Sequence, residues 1–203
     1  MENIVVFGGS FNPPTKAHLA LGLQALEFVN GSKLCFVPVG DKYRKDSLIN
    51  AKYRVDMLNI LKENNDEYSI DIDLTEVNSK ENLNTIDTLR ILQDKYKDST
   101  LYFLLGADNL LYLTEWQEPE ELLSNYKILA INRDGYSIKD IVANKPLLNK
   151  HKKNIIPIDI KEEIFISSTI VRELIQNKDD SVSSYIDENV KKYIEENKLY
   201  KKI

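Results

Sequence analysis

Thr15 and His18 stand three residues apart, behind the turn Gly8-Gly9-Ser10 and the stiff pair Pro13-Pro14. Paired prolines suit the start of a helix, and residues at i and i+3 on a first helical turn share one face. An imidazole and a hydroxyl would then converge with the N–H groups and positive dipole end of that helix. The turn beside them has so little side-chain bulk that a ligand can approach the backbone. Phosphate oxygens are what such a point binds. Similar chemistry recurs near the other end of the chain. Ser168 and Thr169 precede a helical run as a cap signal, and Arg172 follows four and three residues later, so its guanidinium can lie over the same terminus and grip an anion. A third cluster, Lys42, Arg44, Lys45, Lys52 and Arg54 around Tyr43, concentrates positive charge in an otherwise acidic chain. It reads either as a solvated loop or as a phosphate clamp with a flat ring on which a base can stack. Each cluster alone has a plainer reading, as a strand-ending turn, a helix cap or charged surface. Their joint occurrence favours phosphate binding.

These groups need a scaffold that gathers them. Apolar runs at 3–7, 33–38, 68–74, 100–105, 127–132 and 154–158 read as strands, and helical periodicity falls between them at 15–30, 50–63, 82–97, 107–113 with 118–124, and 137–149. Most of the strands are continuous apolar runs, as in a parallel sheet covered on both faces; YSIDIDLTEV alternates instead and belongs near an edge. Ligands of open α/β sheets bind beyond the carboxyl ends of the strands, where Gly8–Ser10, Val39–Lys45, Gly106–Asp108 and Asn132–Arg133 would lie. The last fifty residues or so change character, with a capped helix start at 166–175 and an amphipathic helix at 185–200 that carries Tyr185, Ile186, Val190, Tyr193 and Ile194 on one stripe. The expected organisation is one domain over 1–203, with 166–203 as a C-terminal helical subdomain.

Composition narrows the function. With 203 residues and 42% hydrophobic content the chain can bury an ordinary core. A net charge of −5 argues against a nucleic-acid partner, which needs a basic face, but leaves room for a small anionic substrate in a locally positive cleft. No apolar run is long enough for a membrane span and no leader pattern stands at the start, so a cytoplasmic protein without a membrane partner is expected. Cys35 is the single cysteine and His18 and His151 the only histidines, so neither a disulfide nor a protein-ligated zinc site is expected. His151 belongs to the basic run KHKKN and reads as surface. Neither a GxxxxGK[ST] loop nor GxGxxG occurs, which removes the ordinary P-loop and dehydrogenase readings.

The block GGSFNPPTKAH resembles, nearly residue for residue, the signature of nucleotidyltransferases with an (H/T)xxH motif. It is closest to that of the nicotinate and nicotinamide mononucleotide adenylyltransferases, which carry GGTFDPIHxGH or GSFNPITxxH. ISSTIVR is similar to the family's ISSTxIR, with Val171 in the Ile position, and PVGDKYRKDSLINAKYRVDM to its PVGDxYxKxxLxxxxHRxxM, with Tyr53 where the family has His. LNTIDTLRIL and the GAD turn at Gly106–Asp108, eight residues before Trp116, extend the likeness, which runs from Val6 to the terminal YIEENKLY.

The resemblance implies a Rossmann-like α/β fold, a parallel sheet with helices on both faces and a small helical C-terminal part. It implies an enzyme that transfers AMP from ATP to a pyridine mononucleotide in NAD biosynthesis. His18 and Thr15 would be catalytic, and ATP would meet Gly8, Gly9, Ser10, Phe11, Gly106, Asp108, Ser168, Thr169 and Arg172. The mononucleotide would meet Ser10, Tyr43, Lys45, Thr85 and Trp116, with Mg²⁺ bound through the ATP phosphates rather than by a protein cage. Many bacterial relatives have His where this chain has Thr15, so His18 is expected to carry the imidazole's contribution alone. TIDTL has a bacterial look and GDKYRK a eukaryotic one, while the modest size without long inserts tilts the substrate toward nicotinate mononucleotide over nicotinamide mononucleotide. Partners beyond these substrates are not implied, although a homo-oligomer is admitted. The rival readings are another adenylyl- or cytidylyltransferase of the superfamily, and a nucleotide-sensing module without turnover.

Overall fold

A computed structural model describes residues 2–132, 135–159 and 167–201. Among these, six strands form one sheet: β1 (Glu2–Gly9), β2 (Lys33–Pro38), β3 (Ile70–Ile72), β4 (Ser99–Gly106), β5 (Lys127–Ile131) and β6 (Ile155–Ile158). Every pair is parallel, and the order is β3-β2-β1-β4-β5-β6. The chain builds outward from β1 to one edge, then crosses back to β4 and builds to the other. This is the Rossmann-like arrangement, and the reversal opens a crevice between β1 and β4 at the carboxyl end of the sheet.

Successive side chains of a strand face opposite sides, and the buried residues divide accordingly. Ile4, Val6, Cys35, Val37, Leu101 and Phe103 join one core layer, while Val5, Leu34, Phe36 and Leu104 join the other. Cys35 is fully buried, and burial pushes its thiol up to about 12, with the charges of Asp73 and Asp71 adding to the effect. β3 keeps three residues of the seven expected, and its partner on one side only marks it as an edge.

The helices are α1 (Lys16–Phe28), α2 (Ala51–Glu63), α3 (Thr75–Asn78), α4 (Thr85–Lys95), α5 (Ala107–Tyr112), α6 (Pro119–Asn125), α7 (Ile138–Asn144), α8 (Pro146–Lys150), α9 (Ser168–Asn177) and α10 (Glu188–Glu196). The single helix expected over 137–149 is two. Lys145 is extended because proline disfavours the helical region for the residue before it, and Pro146 starts the next helix. The terminal helix is likewise shorter than 185–200, since Asp187 caps it by accepting from Asn189 and Val190 N–H. Its stripe survives: Ile186, Val190 and Ile194 are buried with Val171 and Val182 against Met57 and Leu61 of α2, a third core separate from the sheet layers. The basic run at 150–154 spans the end of α8 and a 3₁₀ turn, where His151 and Lys150 both reach Glu120.

Candidate active site

β1 runs on through Gly8 and Gly9, where the sequence suggests a turn, and α1 starts at Lys16 after the Ser10–Pro14 connection and its Thr15 cap; its first turn fixes His18. Thr15 is the cap residue: its Oγ1 accepts from His18 N–H at 3.3 Å. In return the Thr15 N–H donates to His18 Nδ1 at 3.0 Å, and Thr15 Oγ1 lies 2.7 Å from the same nitrogen. A nitrogen that receives a backbone N–H carries no proton of its own, so the neutral ring holds its proton on Nε2. Thr15 is fully buried. Its hydroxyl therefore turns to His18 and not to the cleft, and its influence on a ligand passes through the imidazole.

Behind the ring stands Phe11, in the left-handed region with φ 45°. It meets His18, Phe36 and Phe7 at centroid distances of 5.2, 5.3 and 5.7 Å and is buried beneath the cleft rather than lining it. A Cβ on Gly9 would lie 3.0 Å from the Phe11 ring, which is why this position takes glycine.

A cleft of about 1040 Å³ opens over the carboxyl ends of β1, β2 and β4. On one side Lys45 Nζ donates to Ser10 Oγ at 3.1 Å. Arg172 donates from Nη1 to the Asn12 carbonyl at 2.8 Å and from Nη2 to Thr169 Oγ1 at 3.1 Å, and Ser168 Oγ donates to the Pro13 carbonyl at 2.8 Å. The start of α9 is thereby fastened to the chain leading into α1, across roughly 155–160 positions. Neither helix has an acidic residue in its first turn. Burial lowers the pKa of Lys45, and the charge of Arg172 lowers it further. Among the described residues neither cation has a carboxylate within ion-pair distance. The result is two positive dipole ends and two cations around one hollow, an arrangement that an anion completes.

The other side of the cleft brings aromatic rings together with polar side chains. Trp116 packs edge-on to Phe103 at 6.3 Å, Tyr43 is exposed at the rim, and Thr85 opens α4 next to its cap Asn84. Gly106 ends β4 between the two sides.

Of the residues singled out from sequence, the structure gathers Gly8, Gly9, Ser10, His18, Tyr43, Lys45, Thr85, Gly106, Trp116, Ser168, Thr169 and Arg172 around one cleft. Thr15 and Phe11 support it from beneath. Asp108 is not among the lining residues; its neighbour Asn109 lines the cleft and donates to Asp108 Oδ2 at 3.3 Å. The basic cluster divides. Lys45 faces the cleft, Lys42, Arg44 and Lys52 are exposed elsewhere, and Arg54 is fully buried. Arg54 donates to the carbonyls of Val39, Ile49 and Ser10 at 2.7, 2.9 and 3.0 Å and to Asp41 at 3.3 Å. It is a peg that ties two loops together, not an arm of a clamp. Tyr53 lies in the third core, 6.5 Å from the Tyr193 ring. Arg133 falls outside the described residues.

Glu76 was not singled out by the sequence reading. It lines the cleft from α3, and Thr88 Oγ1 donates to its Oε1 at 2.9 Å. Burial pushes its carboxyl up to about 6 against the lowering effect of that bond, and the charge of Asp73 adds to the rise. Its one signal in the sequence is its place in the 75–81 connection between the strand expected at 68–74 and the helix expected at 82–97, since long connections in α/β folds tend to be functional.

Residues 6–174 match the family described as Cytidylyltransferase-like. The chain is 35% identical to the Probable nicotinate-nucleotide adenylyltransferase of Acholeplasma laidlawii, over 98% of each chain. It is 29% identical to the Nicotinate-nucleotide adenylyltransferase of Bacillus subtilis, over 98% of this chain and 99% of that one. Among solved structures it is similar to Plasmodium falciparum nicotinic acid mononucleotide adenylyltransferase complexed with NaAD, with a TM-score of 0.81 and 26% identity over 98% of both chains. The same protein complexed with APC aligns with a TM-score of 0.79.

Proposed function

The chain belongs to the cytidylyltransferase-like family and, within it, to the nicotinate-nucleotide adenylyltransferases, and from this we propose that it transfers AMP from ATP to nicotinate mononucleotide. The products are deamido-NAD and pyrophosphate. The observation that carries the reading is the pairing of two helix starts, α1 with His18 and α9 with Ser168–Arg172, on one cleft and joined by the Arg172–Asn12 bond. The names of the full-length relatives favour nicotinate over nicotinamide.

In this reading an oxygen of the mononucleotide 5′-phosphate attacks the α-phosphorus of ATP. The new P–O bond forms as the bond to the β-phosphate bridging oxygen breaks, and pyrophosphate leaves with that electron pair. A phosphate is already ionised near neutral pH, so no general base is required, and catalysis rests on alignment and stabilisation of charge. His18, held with its proton on Nε2, donates to a phosphate oxygen as negative charge moves toward the leaving group. Lys45 and Arg172 neutralise the polyphosphate from the two loops they anchor, with Ser168 and Thr169 at the start of α9. Gly8, Gly9 and Ser10 let the nucleotide lie against the backbone, and Gly106 does the same for the adenosine part. The mononucleotide ring stacks on Trp116 with Tyr43 at the rim, and Thr85 meets the pyridine substituent at the positive end of α4. On the adenosine side Asn109 faces the cleft, with its side chain donating to Asp108. Mg²⁺ carried by the ATP phosphates would draw charge from them. No helix among the described residues is long and apolar enough to cross a membrane.

Pyrophosphate release from ATP, with nicotinate and nicotinamide mononucleotide in competition, tests the reading. Preferential consumption of nicotinate mononucleotide is expected. Absence of release with either mononucleotide would overturn it, and preference for the amide would overturn the choice of substrate.

A further inference from the structure

Tyr200 sits near the end of the chain, yet its hydroxyl donates to Asn12 Oδ1 at 2.9 Å, across 188 positions. Asn12 is fully buried and is a node for three other segments. Its Nδ2 donates to the Ser47 carbonyl at 2.9 Å, its Oδ1 also accepts a longer bond of 3.4 Å from Ile49 N–H, and its own carbonyl accepts the 2.8 Å bond from Arg172. The Ser47–Ile49 stretch begins two residues after Lys45, so the loop that carries one cation is held by the Asn12 side-chain amide, and the guanidinium that supplies the other is held by the backbone carbonyl of the same residue.

The geometry assigns Tyr200 as a positioning residue for the nucleotide cleft, acting through Asn12 to hold Arg172 and the Lys45 loop in register. This rests on the reading of the cleft given above. The chain is bent to bring the ring there: Lys198 and Tyr200 both adopt left-handed backbone, at φ 53° and 60°, on either side of Leu199, which is buried in the third core. Such conformations persist in non-glycine residues only where the surroundings hold them. Burial raises the pKa of the Tyr200 hydroxyl, while the charges of Arg172 and Arg54 lower it. No substrate contact is ascribed to it.

A second tyrosine supplies the control. Tyr193 packs on the same third core and also joins the C-terminal helices to the body of the protein by one hydroxyl bond, but to Asp56 Oδ2 of α2, at 2.6 Å, and not to Asn12. Y200F and Y193F each remove one oxygen and keep the ring. ATP affinity by titration calorimetry and kcat and KM for ATP are to be measured for both, with urea melts of the same samples.

The expected result is a loss of ATP affinity of roughly fivefold or more for Y200F, the scale of one lost hydrogen bond. Y193F should stay within about twofold of wild type although it is destabilised to a comparable degree. In an R172A background Y200F should cost less than about twofold further, because the two act on one node. Unchanged ATP affinity in Y200F, an equal loss in Y193F, or a loss that only follows the unfolded fraction would overturn the assignment. Calorimetry with ATP needs no turnover, so failure of the transferase assay and failure of this proposal give different results.

Discussion

Arg54→Met removes a guanidinium that a charge count places with the phosphate ligands and the structure places in the scaffold. Its side chain is 0% exposed, and three of its four bonds go to backbone carbonyls, of Ser10, Val39 and Ile49. The fourth partner, Asp41, is 47% exposed and can return to water, so the loss of that ion pair counts for at most about 1 kcal/mol. The three carbonyls cannot do so without opening the loops. At roughly 1–1.5 kcal/mol for each acceptor left unsatisfied, and with methionine filling most of the volume, the variant should lose about 3–5 kcal/mol. For a chain of this size that is a fall in melting temperature of about 6–20 °C. Melts followed by circular dichroism, with ATP KM measured well below the transition, check it. If Arg54 were an arm of a phosphate clamp, the melting temperature would hold while ATP KM rose. A melt within about 2 °C of wild type would refute the reasoning.

His18→Ala should reduce turnover by about 10²–10³-fold, the scale of one lost transition-state donor, while the melting temperature falls only by the worth of a helix cap; near wild-type turnover would remove His18 from the chemistry. Arg172→Ala should raise the KM for ATP by roughly 10- to 150-fold, as expected for one charge-assisted bond, and unchanged ATP saturation would dissolve the second anion site. Glu76 supplies a pH test. Its folded pKa of about 6 lies above its ordinary 4.5, so the folded state holds this proton more tightly. The stabilisation is full below pH 4.5 and is lost as pH rises through 6, amounting to about 2 kcal/mol. Urea melts should therefore show Glu76→Gln gaining about that much on wild type between pH 4 and pH 7, and parallel curves would contradict the assigned burial.

Local chemistry made much of the site legible. The β-branched run, the bulk-free turn and the two prolines place a helix start next to β1, and the three-residue spacing puts Thr15 and His18 on one face, as found. Ser168 to Arg172 were equally readable, because a cap and a residue one turn later need only helical geometry. What escaped was direction. Spacing does not say that the Thr15 hydroxyl turns toward the imidazole, since that depends on the packing that buries it. Charge pattern does not separate Lys45 from Arg54, because the difference lies in which loop carbonyls surround each. Glu76 sits in a connection whose short helix has no periodicity to detect, and its carboxyl is half enclosed only once α4 is docked. The split at Pro146 follows from backbone rules, although the apolar pattern runs through it.

The thiol of Cys35, sealed in β2 and held at about 12, has a use that no chemistry of the cleft requires. As the single cysteine of the chain, it is a native reporter of opening. A thiol reagent reaches it only when the sheet next to the cleft comes apart, so the rate of labelling counts those events directly. A nucleotide that binds only the closed form slows the labelling in proportion to its occupancy. The unmodified protein can thus report ligand affinity with no dye, no turnover and no introduced residue.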